Sequence, residues 1–201
     1  SGNYFDTKFN YNLDFDNRNQ RFQTSEGNRF IFAQGIPVIS EEYSLMNSID
    51  LQTWRKFNND VITNISIYGS MINSMNDKNV RITDRLGLPR KKLKGFQYNA
   101  VGPVDAGDYV GGNYATAINF TSTLPMIMPS FESVDFKYFL DIGNVWGVDY
   151  SSSIDDSNKI RSSTGLGVEW FTPIGPMTFS LAQDISKAST DKTEGFQFNL
   201  G

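Results

Sequence analysis

The stretch "FDTKFNYNLDFDN", residues 5–17, separates its side chains by parity. Phe5, Phe9, Tyr11, Leu13 and Phe15 share one parity, with Thr7 the only polar residue among them. Asp6, Lys8, Asn10, Asn12, Asp14 and Asp16 fill the other without an apolar side chain. In an extended strand successive residues face opposite ways, so one face is oily and the other is charged or amidic. A helix would mix these residues around its circumference. The pattern therefore demands a long strand between an apolar and an aqueous environment.

The same alternation recurs along the chain. Tyr43, Leu45, Ile49 and Leu51 stand against Ser44, Ser48, Asp50 and Gln52, and Val61, Ile65, Ile67 and Met71 against Asn64, Ser66 and Ser70. Tyr114, Ile118, Phe120 and Leu124 oppose Ala115, Asn119, Thr121 and Thr123. Val134, Phe136, Tyr138, Leu140 and Ile142 oppose Asp135, Lys137 and Asp141. Ile160, Leu166, Val168 and Trp170 oppose Arg161, Ser163 and Glu169. Met177, Phe179 and Leu181 follow a "TPIGP" turn, and Phe196, Phe198 and Leu200 close the chain. With the less regular "NRFIFAQGI", this gives nine strands, separated by Gly, Pro, Asn and Asp where turns need them.

Strand length and mean hydropathy together choose the environment. A strand of ~11 residues at ~3.3 Å per residue extends ~36 Å, and tilted by ~45° it covers an apolar band ~25 Å tall. Globular strands are about half that long. The mean hydropathy is only −0.38. A soluble β-sandwich with apolar inner faces is the alternative, but a barrel with a wet lumen looks hydrophilic on average and oily only by parity. The fold class expected is all-β, an antiparallel transmembrane β-barrel portion of about nine up-and-down strands. Trp54, Phe57, Trp146, Trp170 and Phe171 fall near strand ends, where interfacial aromatic girdles sit.

Other function classes are excluded by composition. The chain has no cysteine and no histidine, so it has no disulfide framework, no thiolate or imidazole metal ligand, and no Ser-His-Asp or Cys-His catalysis. No metal and no cofactor is expected. A net charge of −4 offers no general attraction to nucleic acid. The basic cluster Arg85, Arg90, Lys91, Lys92 and Lys94 lacks interleaved aromatics for base stacking and reads as a solvated loop with one anchored cation. Asp135, Asp141 and Glu169 share the lumen parity, but polar, hydrated lumen positions explain them without a paired-carboxylate hydrolase. No apolar run approaches the length of a transmembrane helix. The initial "SGN" reads as a scar or an excised start.

The stretch "KLKGFQYNAVGPVDAGDYVGGN", residues 92–113, resembles the sixth extracellular loop of the BamA family, the barrel subunits of the outer-membrane β-barrel assembly machinery. That family has a V-R-G-F/Y signature, then G-P, then G-G-N before a strand. "FLDIGNVWG" (139–147), "SSTGLGVEWFTPIGPMTFSLAQ" (162–183) and the final "GFQFNLG" extend the resemblance in the same order. It implies that residues 1–201 are the C-terminal part of a sixteen-stranded barrel in the bacterial outer membrane, with a long extracellular loop at 76–112. The loops at 147–159 and 186–195 would share that side, and the "TPIGP" turn and the 124–132 connection would be periplasmic. The implied task is folding and inserting other barrel proteins, without enzymatic chemistry. The implied partners are client outer-membrane proteins, outer-membrane lipid and the lipoprotein subunits of the machinery. A two-partner secretion transporter, an organelle import barrel and a passive porin are the alternatives.

The resemblance also implies a loop lock. The loop cation, Lys94 where the family has Arg, would enter the lumen and pair with Asp141, with Gly95 and Phe96 forming a tight, packed tip. The family's second acid maps near Thr121, which is uncharged, and Glu169 is expected to replace it. Gly143, Gly165 and Gly167 would leave room for the loop. Phe196, Phe198 and Leu200 would belong to the last strand of the seam.

Overall fold

A computed structural model describes residues 6–57, 61–125, 127, 133–154, 156, 158–173 and 175–200. Phe5, Ile174, Gly201 and most of the 124–132 connection lie outside the described residues. The strands are β1 (Asp6–Asp16), β2 (Gly27–Ser40), β3 (Ser44–Lys56), β4 (Ile62–Ser74), β5 (Val104–Asp105), β6 (Asp108–Tyr109), β7 (Tyr114–Thr123), β8 (Val134–Trp146), β9 (Arg161–Thr172), β10 (Gly175–Ser186) and β11 (Phe196–Leu200). All but β5 and β6 join one nine-stranded sheet in chain order, each strand antiparallel to its neighbours. Among the described residues β1 and β11 stand first and last in its order. Among the described residues the only helical segments are three short 3-10 turns.

Up-and-down order places the connections at two opposite ends. The connections at 41–43, 75–113, 147–160 and 187–195 share one end. Those at 17–26, 57–61, 124–133 and 173–174 share the other. The pair β5–β6 is a small hairpin inside the longest connection, 75–113.

Register decides the faces. Phe15, Phe30, Leu51, Ile67, Ile118 and Ile142 are successive partners across six strands, and every one is exposed. On the opposite face Ser66, Asn119, Asp141 and Ser163 are successive partners across β4, β7, β8 and β9, and every one is buried. A soluble sandwich would bury the apolar row; this sheet presents it outward, as a barrel wall does to lipid. The polar row is covered because the 75–113 connection folds back onto it.

Two aromatic residues differ from the girdle expectation. Trp54 faces a cavity on the polar side, with the Arg18 guanidinium 5.4 Å from its ring centre. Phe171 turns to Phe22 of the 17–26 hairpin, with ring centres 6.5 Å apart. Both have the parity of the inner face, which strand-end position alone does not disclose. Trp170 does lie on the exposed face.

Candidate functional site

The 75–113 connection is held first by a small apolar core. Leu88, Leu93, Phe96 and Val101 pack against Ala115, Ala117 and Val145 of β7 and β8, with Tyr68 and Leu86 at its margin. The wall supplies small residues where the loop lies closest. A β-carbon on Gly143 would stand 2.9 Å from Leu88 Cδ1 and 3.1 Å from Thr116 O, so glycine lets the loop lie close there. Gly165 and Gly167 lie on the same inner face but are crowded by the wall and not by the loop: the atoms nearest a β-carbon would be Leu181 O and Phe139 at the first and the backbone oxygens of Phe179 and Lys137 at the second.

Residues 92–94 then cross the strands along the buried polar row, bonding to one strand after another. Lys92 Nζ reaches Asp50 Oδ2 of β3 at 2.8 Å and Ser66 Oγ of β4 at 2.7 Å. Asn119 of β7 donates from Nδ2 to Lys92 O at 2.8 Å and to Asp141 Oδ1 at 2.9 Å. Lys94 Nζ lies 2.8 Å from Asp141 Oδ2 of β8, and the Lys94 N–H donates to that same oxygen at 3.0 Å. The Ser163 hydroxyl of β9 donates to Lys94 O. The Lys94 ammonium also stands 4.5 Å from the centre of the Phe139 ring, a cation–π distance. Asp141 is wholly buried, so its charge depends on these partners.

At the tip, Gly95 has φ +87°, a backbone conformation that favours glycine. A β-carbon there would come within 3.0 Å of Ala182 Cβ and 3.3 Å of Ser163 Cβ. Phe96 is buried beside it. Glu169 is not drawn to Lys94; it pairs with Lys137 of β8. Its direct register partner is Asp135, and Lys137 faces Gly167, which has no side chain to block a diagonal reach. The place expected for a second acid is taken by Asn119 and, two strands away, by Asp50.

The basic cluster holds more than the one anchored cation expected. Arg85 is buried, pairs with Asp149, and donates to Asn113 Oδ1 at 2.8 Å and Val80 O at 2.9 Å. Val80 N–H donates to Asp149 Oδ2 at 2.7 Å. Burial pushes the Asp149 carboxyl up, but the Val80 N–H, Arg85 and Asn113 together hold it below the usual carboxylate range. Arg161, read from the sequence only as a lumen position, is wholly buried and forks onto both oxygens of Asp191 at 2.9 Å. It also reaches Asp156 Oδ2 at 2.6 Å and Asn144 Oδ1 at 2.5 Å, tying the 147–160 and 187–195 connections to the end of β8.

Below the crossing segment lies a cavity of about 760 Å³, lined among others by Lys92, Lys94, Lys137, Glu169 and Ser180. Arg18 and Phe22 of the 17–26 hairpin border its other end. Among the described residues no three acidic side chains gather to hold a metal. The lumen acids Asp141 and Glu169 are committed to lysines. The arrangement can hold a strand-crossing loop by charge and hydrogen bonds.

Comparison with known proteins follows the same lines. The Omp85 superfamily domain matches residues 1–201. The chain is 22% identical over 202 residues to outer membrane protein assembly factor BamA of Neorickettsia risticii (strain Illinois), covering 98% of this chain and 25% of that protein. It is 27% identical over 136 residues to BamA of Neisseria meningitidis serogroup B, covering 54% of this chain and 17% of that one. The sorting and assembly machinery component 50 homolog of Bos taurus is 30% identical over 136 residues, 62% of this chain and 29% of that protein. The crystal structure of BamA from Haemophilus ducreyi lacking POTRA domains 1-3 superposes with a TM-score of 0.87 at 21% identity, over 95% of this chain and 41% of that one. The chain thus spans about a quarter of the length of the first of these relatives.

Proposed function

This chain belongs to the Omp85 superfamily, and from that membership we propose that residues 1–201 form the C-terminal part of a bacterial outer-membrane barrel that folds and inserts other barrel proteins. The 75–113 connection is its extracellular loop, docked into the lumen, and the 17–26 hairpin and the 173–174 turn face the periplasm. The work involves no covalent chemistry. It rests on β11 as the strand of a weak seam, whose backbone N–H and C=O groups can template a client strand when the seam opens.

One observation carries this reading: residues 92–94 bond in turn to β3, β4, β7, β8 and β9 across the inner face. A passive pore needs an open lumen, whereas this loop crosses the inner face and braces the wall from within. Client outer-membrane proteins, surrounding lipid and the lipoprotein subunits of an assembly machine are the partners this role requires.

The test is insertion itself. The parent protein carrying this segment is reconstituted in lipid vesicles and offered an unfolded barrel client, whose folding is read by heat-modifiable migration. Insertion faster than in protein-free vesicles, with a cysteine at Asn199 crosslinking to the client, supports the proposal. Equal rates with and without the protein overturn it.

A further inference from the structure

The tip of the long connection is paired with the segment that leads directly into the edge strand. Gln97 N–H donates to Lys192 O at 2.9 Å, Glu194 N–H to Gly95 O at 2.9 Å, and Lys192 N–H to Ala100 O at 3.2 Å. Phe96 and Thr193 face each other in this short antiparallel bridge. One residue later Gly195 O accepts from Ala182 N–H of β10 at 2.8 Å, and β11 begins at Phe196. The start of β11 is thus held on one side by β10 and just upstream by the loop tip.

Gln197 completes the junction. It is the inward-facing residue of β11 nearest the loop and is 2% exposed. Its Nε2 donates to Phe96 O at 2.7 Å, with a longer contact to Glu194 Oε2 at 3.4 Å. Its Oε1 has no hydrogen-bond partner among the described residues. The amide is therefore placed for Phe96 O.

β11 pairs with β10 over five residues, from Met177–Leu200 to Leu181–Phe196. Asp141 on β8 is three strands away, ~14 Å at the usual inter-strand spacing, so it cannot act on β11 by contact. A continuous path of bonds does join them. Asp141 holds Lys94, the next residue Gly95 accepts from Glu194, and Phe96 accepts from Gln197.

We propose that Gln197 is a positioning residue that couples loop docking to the order of β11: when the Lys94–Asp141 contact is made, residues 192–200 are held, and when the loop leaves, the start of β11 is freed. The inference rests on the reading of β11 as a seam strand, but its test does not require assembly activity.

Amide hydrogen exchange is measured on the parent protein in detergent or vesicles, with and without Asp141→Ala. Exchange at Glu194 and at 196–200 should quicken by about tenfold, the size of one lost buried hydrogen bond. Amides of β3 and β4 should keep their rates, which separates coupling from general destabilisation. Gln197→Met should in turn raise protease cleavage of the 75–113 loop while leaving Asp141 and Lys94 in place. Loop cleavage that rises in Asp141→Ala with unchanged exchange at 194–200 overturns the proposal. If Gln197→Met yields no folded barrel, the Asp141→Ala arm decides alone. Client insertion, measured separately on the same samples, can fail while this coupling holds, so the two readings are told apart.

Discussion

Lys94 Nζ stands 2.8 Å from Asp141 Oδ2, and that carboxylate has no solvent exposure. In such a place the ion pair contributes less by its attraction than by what its rupture leaves behind. Removing one partner of a buried pair strands the other charge, at ~3–5 kcal/mol. Lys94→Ala and Asp141→Ala should each loosen the loop by that order, and the double variant should cost far less than their sum. Protease sensitivity of the 75–113 loop in the parent protein reads the cycle. Additive effects would remove the pair from the account.

Asn119 bridges the two lysine anchors through Lys92 O and Asp141 Oδ1. Asn119→Ala leaves both acceptors short of a donor, and the expected cost is ~1–3 kcal/mol. It should also weaken the response of the loop to Asp50→Ala, because a Lys92 backbone no longer fixed by Asn119 presents its ammonium to Asp50 less firmly. A loop equally sensitive to Asp50→Ala with and without Asn119 would show that the anchors act separately.

Gly143 predicts a steric effect of definite origin. Gly143→Ala places a β-carbon against Leu88 Cδ1 and Thr116 O, and overpacking of this kind costs ~1–3 kcal/mol. Leu88→Ala should restore part of the loss, since it removes the flexible obstacle but not the backbone oxygen. Thermal unfolding of the three variants checks this. No rescue at all would mean that the loop does not pack there.

Acid should release the loop from its neighbour at 147–160. Asp149 is held below its ordinary value of 3.8. A carboxyl depressed by folding contributes stability that is complete above its unfolded pKa and is lost as pH falls through the folded one. Pepsin cleavage of the loop should therefore stay constant from pH 5 down to about that ordinary value and rise below it. Asp149→Asn should loosen the loop already at pH 5 and flatten the acid limb. An unchanged acid limb in that variant would assign the effect to other carboxylates.

Orientation has its own test. Ser152 lies in the 147–160 connection and Gly175 opens β10 at the opposite end. Residues 1–201 contain no cysteine, so in a parent protein freed of any other, a cysteine at Ser152 should label on intact cells and one at Gly175 should not. The reverse pattern would invert the topology.

The two faces were readable because a strand has a period of two, so parity alone sorts Ile67 from Ser66 and Ile142 from Asp141. Partners across the lumen follow another rule. Lys92 and Asp50 meet because the loop path crosses β3 and β4, which no local pattern encodes. Glu169 illustrates the limit most directly. Its parity places it inside, but the register sets Lys137 opposite a glycine and so gives that lysine the carboxylate first. Arg161 had a sequence signal that was available, an arginine at an inward position just after a loop containing Asp155 and Asp156. Its fork onto Asp191 still depended on the 187–195 connection folding back over the same end.

The contact between Phe22 and Phe171 joins the hairpin after β1 to the far end of β9. Rings so distant in strand order can touch only if the wall between them has already turned through a large arc. Curvature is therefore present within these nine strands and their inner fittings. A further strand added beside β11 would meet that curvature, and one whose own sheet prefers another curvature would have to bend in order to pair.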